Sequence, residues 1–111
     1  MVELLAGWSC EVVAAPTAED ALAGLDGRRP DVLLSDYHLD DGRTGLEALA
    51  LMVARLGPAV PAALITADRD PALRAAAEAA GYRLLHKPVR PGALRALLAQ
   101  MLAERAGRAA E

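Results

Sequence analysis

The sequence predicts an α/β domain built on a parallel β-sheet with helices on both faces. Three observations predict it. Short apolar runs alternate with longer segments of helical periodicity along the whole chain. The runs VLL at 32–34 and PAALI at 61–65 are continuously apolar, as strands covered on both faces are. Polar residues capable of chemistry follow these runs directly, and in open α/β sheets ligands bind at the carboxyl ends of the strands.

Residues 1–7 read as the tail of a helix closed by Gly7, and residues 11–15 (EVVAA) as a short strand. Thr17, after Pro16, is the N-cap of the next helix, with Asp20 three residues on as a variant of the capping box. Ala18, Ala21, Leu22 and Leu25 share one face of that helix, and Gly24 and Gly27 weaken its end. Arg29-Pro30-Asp31 is a turn into the strand at 32–34, and residues 36–44 (DYHLDDGRT) form a polar loop in which Asp40-Asp41-Gly42 is a turn. Residues 45–56 are helical, with Leu46, Leu49, Ala50 and Val53 on one stripe, and Gly57-Pro58 stops them. After the strand at 61–65 come Thr66-Ala67-Asp68. Asp70 then caps an Ala-rich helix with Pro71 at its first position, ending at Gly81. Residues 82–85 are a short strand and 86–89 (HKPV) a loop. Pro91 opens the last helix, whose Leu94, Leu97, Leu98, Met101 and Leu102 form a buried stripe. The domain is expected over residues 1–105, with 106–111 a frayed tail. There is no internal repeat and no linker.

With 111 residues the chain is one domain, and its 54% hydrophobic content supplies a core without disulfides. No Phe is present, so that core is aliphatic. A net charge of −3 argues against a general nucleic-acid binder, which needs a basic face. A single cysteine, Cys10, forms no internal disulfide and reads as a small buried hydrophobe, consistent with a cytoplasmic setting. No apolar run reaches the length of a membrane span, and the first residues carry Glu3 and no basic n-region.

Topology brings three groups to one sheet edge: Asp36 after the second visible strand, Thr66 with Asp68 after the third, and Lys87 after the fourth. Singly each has a plain reading: Asp36 a turn cap, Thr66 a strand-end cap, Lys87 solvated surface. Together they suit one chemistry. A carboxylate attacks a phosphoryl group to give an acyl phosphate, and an ammonium and a hydroxyl hold the transferred oxygens. A divalent cation usually completes such a site.

The segments LLSDYHLDDGRTGLEAL, PAALITAD and LLHKPVRPGALRALL resemble the receiver domains of response regulators, and most of all those of hybrid histidine kinases. The resemblance spans about residues 1–102. It implies a flavodoxin-like, doubly wound parallel sheet, normally of five strands in order 2-1-3-4-5. It further implies that Asp36 is the phosphoacceptor and that the backbone carbonyl of His38 ligates Mg²⁺ beside Asp36. By the same resemblance Thr66 binds a phosphoryl oxygen and Lys87 pairs with the phosphoryl group. Pro88 follows through a peptide that is usually cis, and Asp68 stands where dephosphorylation is tuned.

The chain departs from the pattern in places. It opens inside the family's first helix, so the first, central strand of the five and the acidic pair that ends it are not in it. Mg²⁺ is therefore expected to bind weakly or not at all. Leu84 stands where an aromatic switch residue is usual, and Asp40 where Pro is common. Strands left without that central neighbour suggest pairing with a second copy, a homodimer.

The expected function is that of a phosphoacceptor module in a two-component phosphorelay. It takes its phosphoryl group from phosphohistidine on a histidine kinase or histidine phosphotransfer domain and switches partner contacts. It is not a stand-alone enzyme, and it is expected to bind no nucleic acid and enter no membrane. The alternative is a degenerate pseudo-receiver that only mediates protein contacts. A phosphatase or flavin binder is disfavoured, since no glycine-rich phosphate loop follows any strand. His38 is otherwise a loop histidine, His86 an exposed or packing residue, and Trp8 and Tyr82 packing residues. Arg90 and Arg95 are outward-facing interface candidates.

Overall fold

The computed structural model describes residues 7, 12–39, 42–57 and 60–110, with side chains as far as 104. In chain order the elements are α1 (Ala18–Leu25), β1 (Leu33–Asp36), α2 (Gly45–Leu56), β2 (Ala62–Thr66), α3 (Pro71–Ala79), β3 (Arg83–His86) and α4 (Pro91–Ala110).

Local chemistry sets the ends of the helices. Thr17 is extended and its hydroxyl accepts the Asp20 N–H at 3.1 Å, opening α1. Asp26 closes α1 in the left-handed region, and the Arg28 guanidinium donates to the carbonyls of Leu25 and Gly24 at 3.0 and 3.3 Å. Before α2, Thr44 and Glu47 form a full capping box, at 3.3 Å to the Glu47 N–H and 3.1 Å back to the Thr44 N–H. Gly57, at φ 98°, turns the chain out of α2. Asp70 caps α3 through the Ala72 N–H at 2.9 Å, with Pro71 following, as the sequence predicts.

The three strands form a parallel sheet in the order β1-β2-β3. Every residue of the middle strand β2 is buried, which accounts for its unbroken apolar sequence. The two faces are filled by different residues, with the period of two that a pleated strand imposes. Leu33, Ala62, Leu64 and half-buried Leu84 pack with Leu49 of α2, Leu73 of α3 and Val60. On the opposite face Leu34, Leu85, Val32, Val89 and Val12 pack against Leu94 and Leu98 of α4.

Two expectations need correction. Residues 12–15 form no strand, although EVVAA has the composition of one. Among the described residues no strand lies beside them, so they contribute side chains instead: Val12 joins the α4 face, and Val13 lies where a Cβ on Gly24 would touch it. Leu102 is 45% exposed and sits outside the core, because the stripe of α4 narrows to Leu94, Leu98 and Met101 where only one sheet face must be covered. The last helix runs to Ala110. The calls on residues 1–6, Trp8, Cys10, Glu11, Asp40, Asp41 and Pro58 lie outside the described residues.

Candidate functional site

Parallel register aligns the strand ends. Asp36 pairs with Ile65, and Thr66 with His86. Two backbone bonds hold the chain just beyond: Tyr37 N–H donates to Ile65 O at 2.8 Å, and Lys87 N–H donates to Thr66 O at 2.9 Å. The rim that results carries Asp36, Thr66 and Lys87, drawn from three separate strands.

Asp36 and Lys87 are in contact, with Lys87 Nζ 3.2 Å from Asp36 Oδ1, and both side chains are about half exposed. An ion pair so open to water contributes only about 0–1 kcal/mol to stability. Its chemical content is greater: a carboxylate reachable from solvent, with a cation beside it ready to meet incoming negative charge. The Lys87–Pro88 peptide is cis.

Thr66 stands differently. It is 1% exposed, and its hydroxyl accepts the Asp68 N–H at 3.0 Å. Thr66 thus ends the strand between those of Asp36 and Lys87, with its hydroxyl engaged by the Asp68 N–H. Asp68 is exposed, and its Oδ1 accepts the Asp70 N–H at 2.9 Å. His38 is exposed. It bridges to Thr44 across the loop, and its ring meets Tyr37 edge-on at 4.9 Å. Leu84 packs into the α2–α3 core, and His86 is half buried at the end of β3.

Two further contributors were not anticipated. Gly45, the first residue of α2, lies so close to β1 that a Cβ there would stand 2.2 Å from Asp36 O and 2.5 Å from Leu64 Cδ1. Its N–H donates to Tyr37 O at 2.7 Å, so α2 begins against the backbone of Asp36 itself. The available signal was a glycine at a helix start, where the capping pair Thr44/Glu47 needs none. Arg43, in the loop leading into α2, pairs with Glu19 of α1 at 2.6 Å. That hydrogen bond, before all else, holds the Glu19 carboxyl below its ordinary value of 4.5. Nothing in the sequence marks a pairing between residues so far apart.

Receiver domains generally bind Mg²⁺ at the phosphorylation site, and Mg²⁺ demands octahedral oxygen ligation. Among the described residues no group of three or more His, Cys, Asp or Glu side chains is placed to hold a metal. At the rim the Asp36 carboxylate is already paired with Lys87, and the nearby Asp68 carboxylate accepts the Asp70 N–H. The described donors do not by themselves make a magnesium site, so no chemical step is drawn through one. Among the described residues, no helix is long and apolar enough to cross a membrane.

Solved structures of receivers superpose closely on this chain. A CheY-like response regulator receiver domain protein from Methanospirillum hungatei JF-1 is 25% identical at a TM-score of 0.83, over 96% of this chain and 85% of that one. The chemotaxis protein CheY4 of Vibrio cholerae is 26% identical at 0.80, over 90% and 84%. The receiver domain of NtrX from Brucella abortus, 23% identical at 0.80 over 92% and 86%, shares the fold. No curated protein matches the sequence. The family model of the response regulator receiver domain matches residues 1–99, alongside a parallel sheet whose rim presents a carboxylate, an ammonium and a buried hydroxyl. The chain belongs to the response regulator receiver domain family.

Proposed function

We propose that Asp36 is the phosphoacceptor through which this receiver serves two-component signalling. The observation that carries the assignment is the contact between Asp36 and Lys87 at the common end of the strands, with Thr66 ending the strand between theirs. An Asp36 carboxylate oxygen attacks the phosphorus of a phosphohistidine on a histidine kinase or phosphotransfer partner. The O–P bond forms as the P–N bond breaks, and the departing imidazole keeps the electron pair of that bond. The Lys87 ammonium, released from the carboxylate, meets the phosphoryl oxygens, whose charge replaces the one it was pairing.

In this reading His38 lends its backbone carbonyl to Mg²⁺ and Asp68 governs how long the acyl phosphate survives. Mg²⁺ binding is weak, because among the described residues no three potential ligand side chains gather to hold it. A receiver attached to a hybrid histidine kinase, working in the cytoplasm, is the setting that the sequence favours. A second copy of the chain is a further proposed partner: among the described residues β1 pairs on one side only, with β2.

The test is incubation with a small acyl phosphate and Mg²⁺, followed by intact mass measurement. One phosphoryl group should be gained by the chain and none by Asp36→Asn. Lys87→Ala should gain it more slowly, by about tenfold or more. A gain that persists in Asp36→Asn would place the acceptor elsewhere, and no gain at all would favour a contact-only module.

A further inference from the structure

The amino ends of the strands, opposite the rim, border a hollow. Ala62 opens β2 and Arg83 opens β3, while α2 brings Val53 of its last turns and α4 brings Glu104 of its second half. Among the described residues these elements leave a cavity of about 150 Å³. Val53, Val60 and Ala62 give it an aliphatic wall, and the last two are almost wholly buried. A Cβ on Gly81, in the turn that leads to β3, would meet no atom within 4 Å. The polar part of the lining is Tyr82 and the ion pair of Arg83 with Glu104. We propose that this cavity is a binding site for a small neutral phenol, with its ring against Val53, Val60 and Ala62 and its hydroxyl on the Arg83–Glu104 pair.

Size and chemistry both select this class of ligand. An apolar cavity of about 150 Å³ takes up a benzene-sized ring. Arg83 and Glu104 neutralise each other, so the lining offers an ion no net opposite charge. A charged ligand would lose its water there without compensation. A hydroxyl is better matched. It both donates and accepts, so it can bond the Glu104 carboxylate and the Arg83 guanidinium at once. The carboxylate has about four lone-pair sites and the guanidinium five N–H donors, so their own pairing leaves capacity for a third group. Bonds to ionised partners are also the stronger ones. Tyr82 adds an aromatic neighbour. Burial pushes its phenol above the ordinary value of 10.0, a sign that water is already sparse on that side.

The site stands apart from the phosphoacceptor. It lies at the far ends of the same strands and shares no residue with Asp36, Thr66 or Lys87. It touches α2, β2, β3 and α4 together, so a ligand held there stabilises the folded chain by linkage. Nothing in it depends on phosphoryl transfer, and its test needs no phosphodonor.

That test is an NMR titration of the whole chain with phenol. The methyl signals of Val53 and Val60 should shift and saturate, with half-saturation on the order of 1 mM, an ordinary figure for so few atoms. The methyls of Val12 and Val89, which pack on the α4 core, should stay in place. Anisole has the same ring but no donor, and should bind about tenfold more weakly. Val53→Phe fills the space from its wall and should weaken phenol by about tenfold or more. Glu104→Leu should bring phenol down to the level of anisole, and it decides the matter if Val53→Phe loses the dispersed spectrum of the fold. Shifts that grow linearly with phenol and never saturate would overturn the site. So would anisole binding as tightly as phenol, or phenol binding the parent and Glu104→Leu equally well.

Discussion

Asp36 is surrounded by residues that fix its backbone more firmly than its side chain. The carboxylate is half in water beside Lys87, whereas its carbonyl oxygen sits 2.2 Å from where a Cβ of residue 45 would be. Neither that oxygen nor Leu64 can give way, since one is backbone of a strand paired in the sheet and the other is fully buried in the core. Gly45→Ala should therefore destabilise the fold by about 1–3 kcal/mol, as overpacking does. It should also slow phosphoryl uptake by displacing Asp36, so denaturant titration and mass measurement should move together. Glu19 makes the complementary case at the surface. Its carboxyl is held below 4.5 chiefly by the hydrogen bond from Arg43. A depressed folded-state value means that the pair's contribution is present above the unfolded pKa and is lost as pH falls through the folded one. Glu19→Gln should thus unfold at slightly lower denaturant than the parent at pH 7, and the difference should close in acid below that range. Since both side chains are largely exposed, added salt should shrink it as well.

At the level of elements, α2 is the best-defined helix of the site. Thr44 and Glu47 satisfy each other's N–H groups, and the helix they open begins against Asp36. Thr44→Ala removes the acceptor for the Glu47 N–H and should lower stability by about 1 kcal/mol in urea titration. A change of similar size in Glu47→Ala, with no further loss in the double variant, would show the two acting as a unit. The same helix shows what the sequence does and does not disclose. Its stripe of Leu46, Leu49 and Val53 and its stop at Gly57 are legible from period and composition, while Ala50 on that stripe is exposed. The strands were legible because burial on both faces leaves an unbroken apolar run, and Asp36, Thr66 and Lys87 because each follows such a run. Residues 12–15 mislead for a physical reason: EVVAA has a strand's composition, but a strand exists only where a neighbour exchanges its backbone bonds. The Arg43–Glu19 pair and the hydrogen bond from the Asp68 N–H to Thr66 were not legible. They depend on side-chain directions and approach distances that no spacing rule encodes.

For the molecule as a whole, the sheet is a partition between two aliphatic cores. Leu49 and Leu64 lie on the α2–α3 side, Leu94 and Leu98 on the α4 side; β1 and β3 give alternate leucines to each, Leu33 and Leu84 to the first and Leu34 and Leu85 to the second, while β2 is buried along its entire length. Neither core persists without the sheet, because the helices that cover its faces have no other apolar surface to bury. The strands in turn lose their cover if either helix layer departs, exposing backbone groups and branched side chains at once. The two cores should therefore melt together. Leu49→Ala and Leu94→Ala, each removing a side chain with no exposure, should cost about 2–5 kcal/mol apiece. Far-UV circular dichroism, which reports the helices, and amide exchange of β2, which reports the sheet, should give coincident denaturant midpoints in both variants. If Leu94→Ala released α4 while β2 amides stayed protected, the α4 face would be a separable layer. The rim carrying Asp36 and Thr66 would then be held by the α2–α3 core alone.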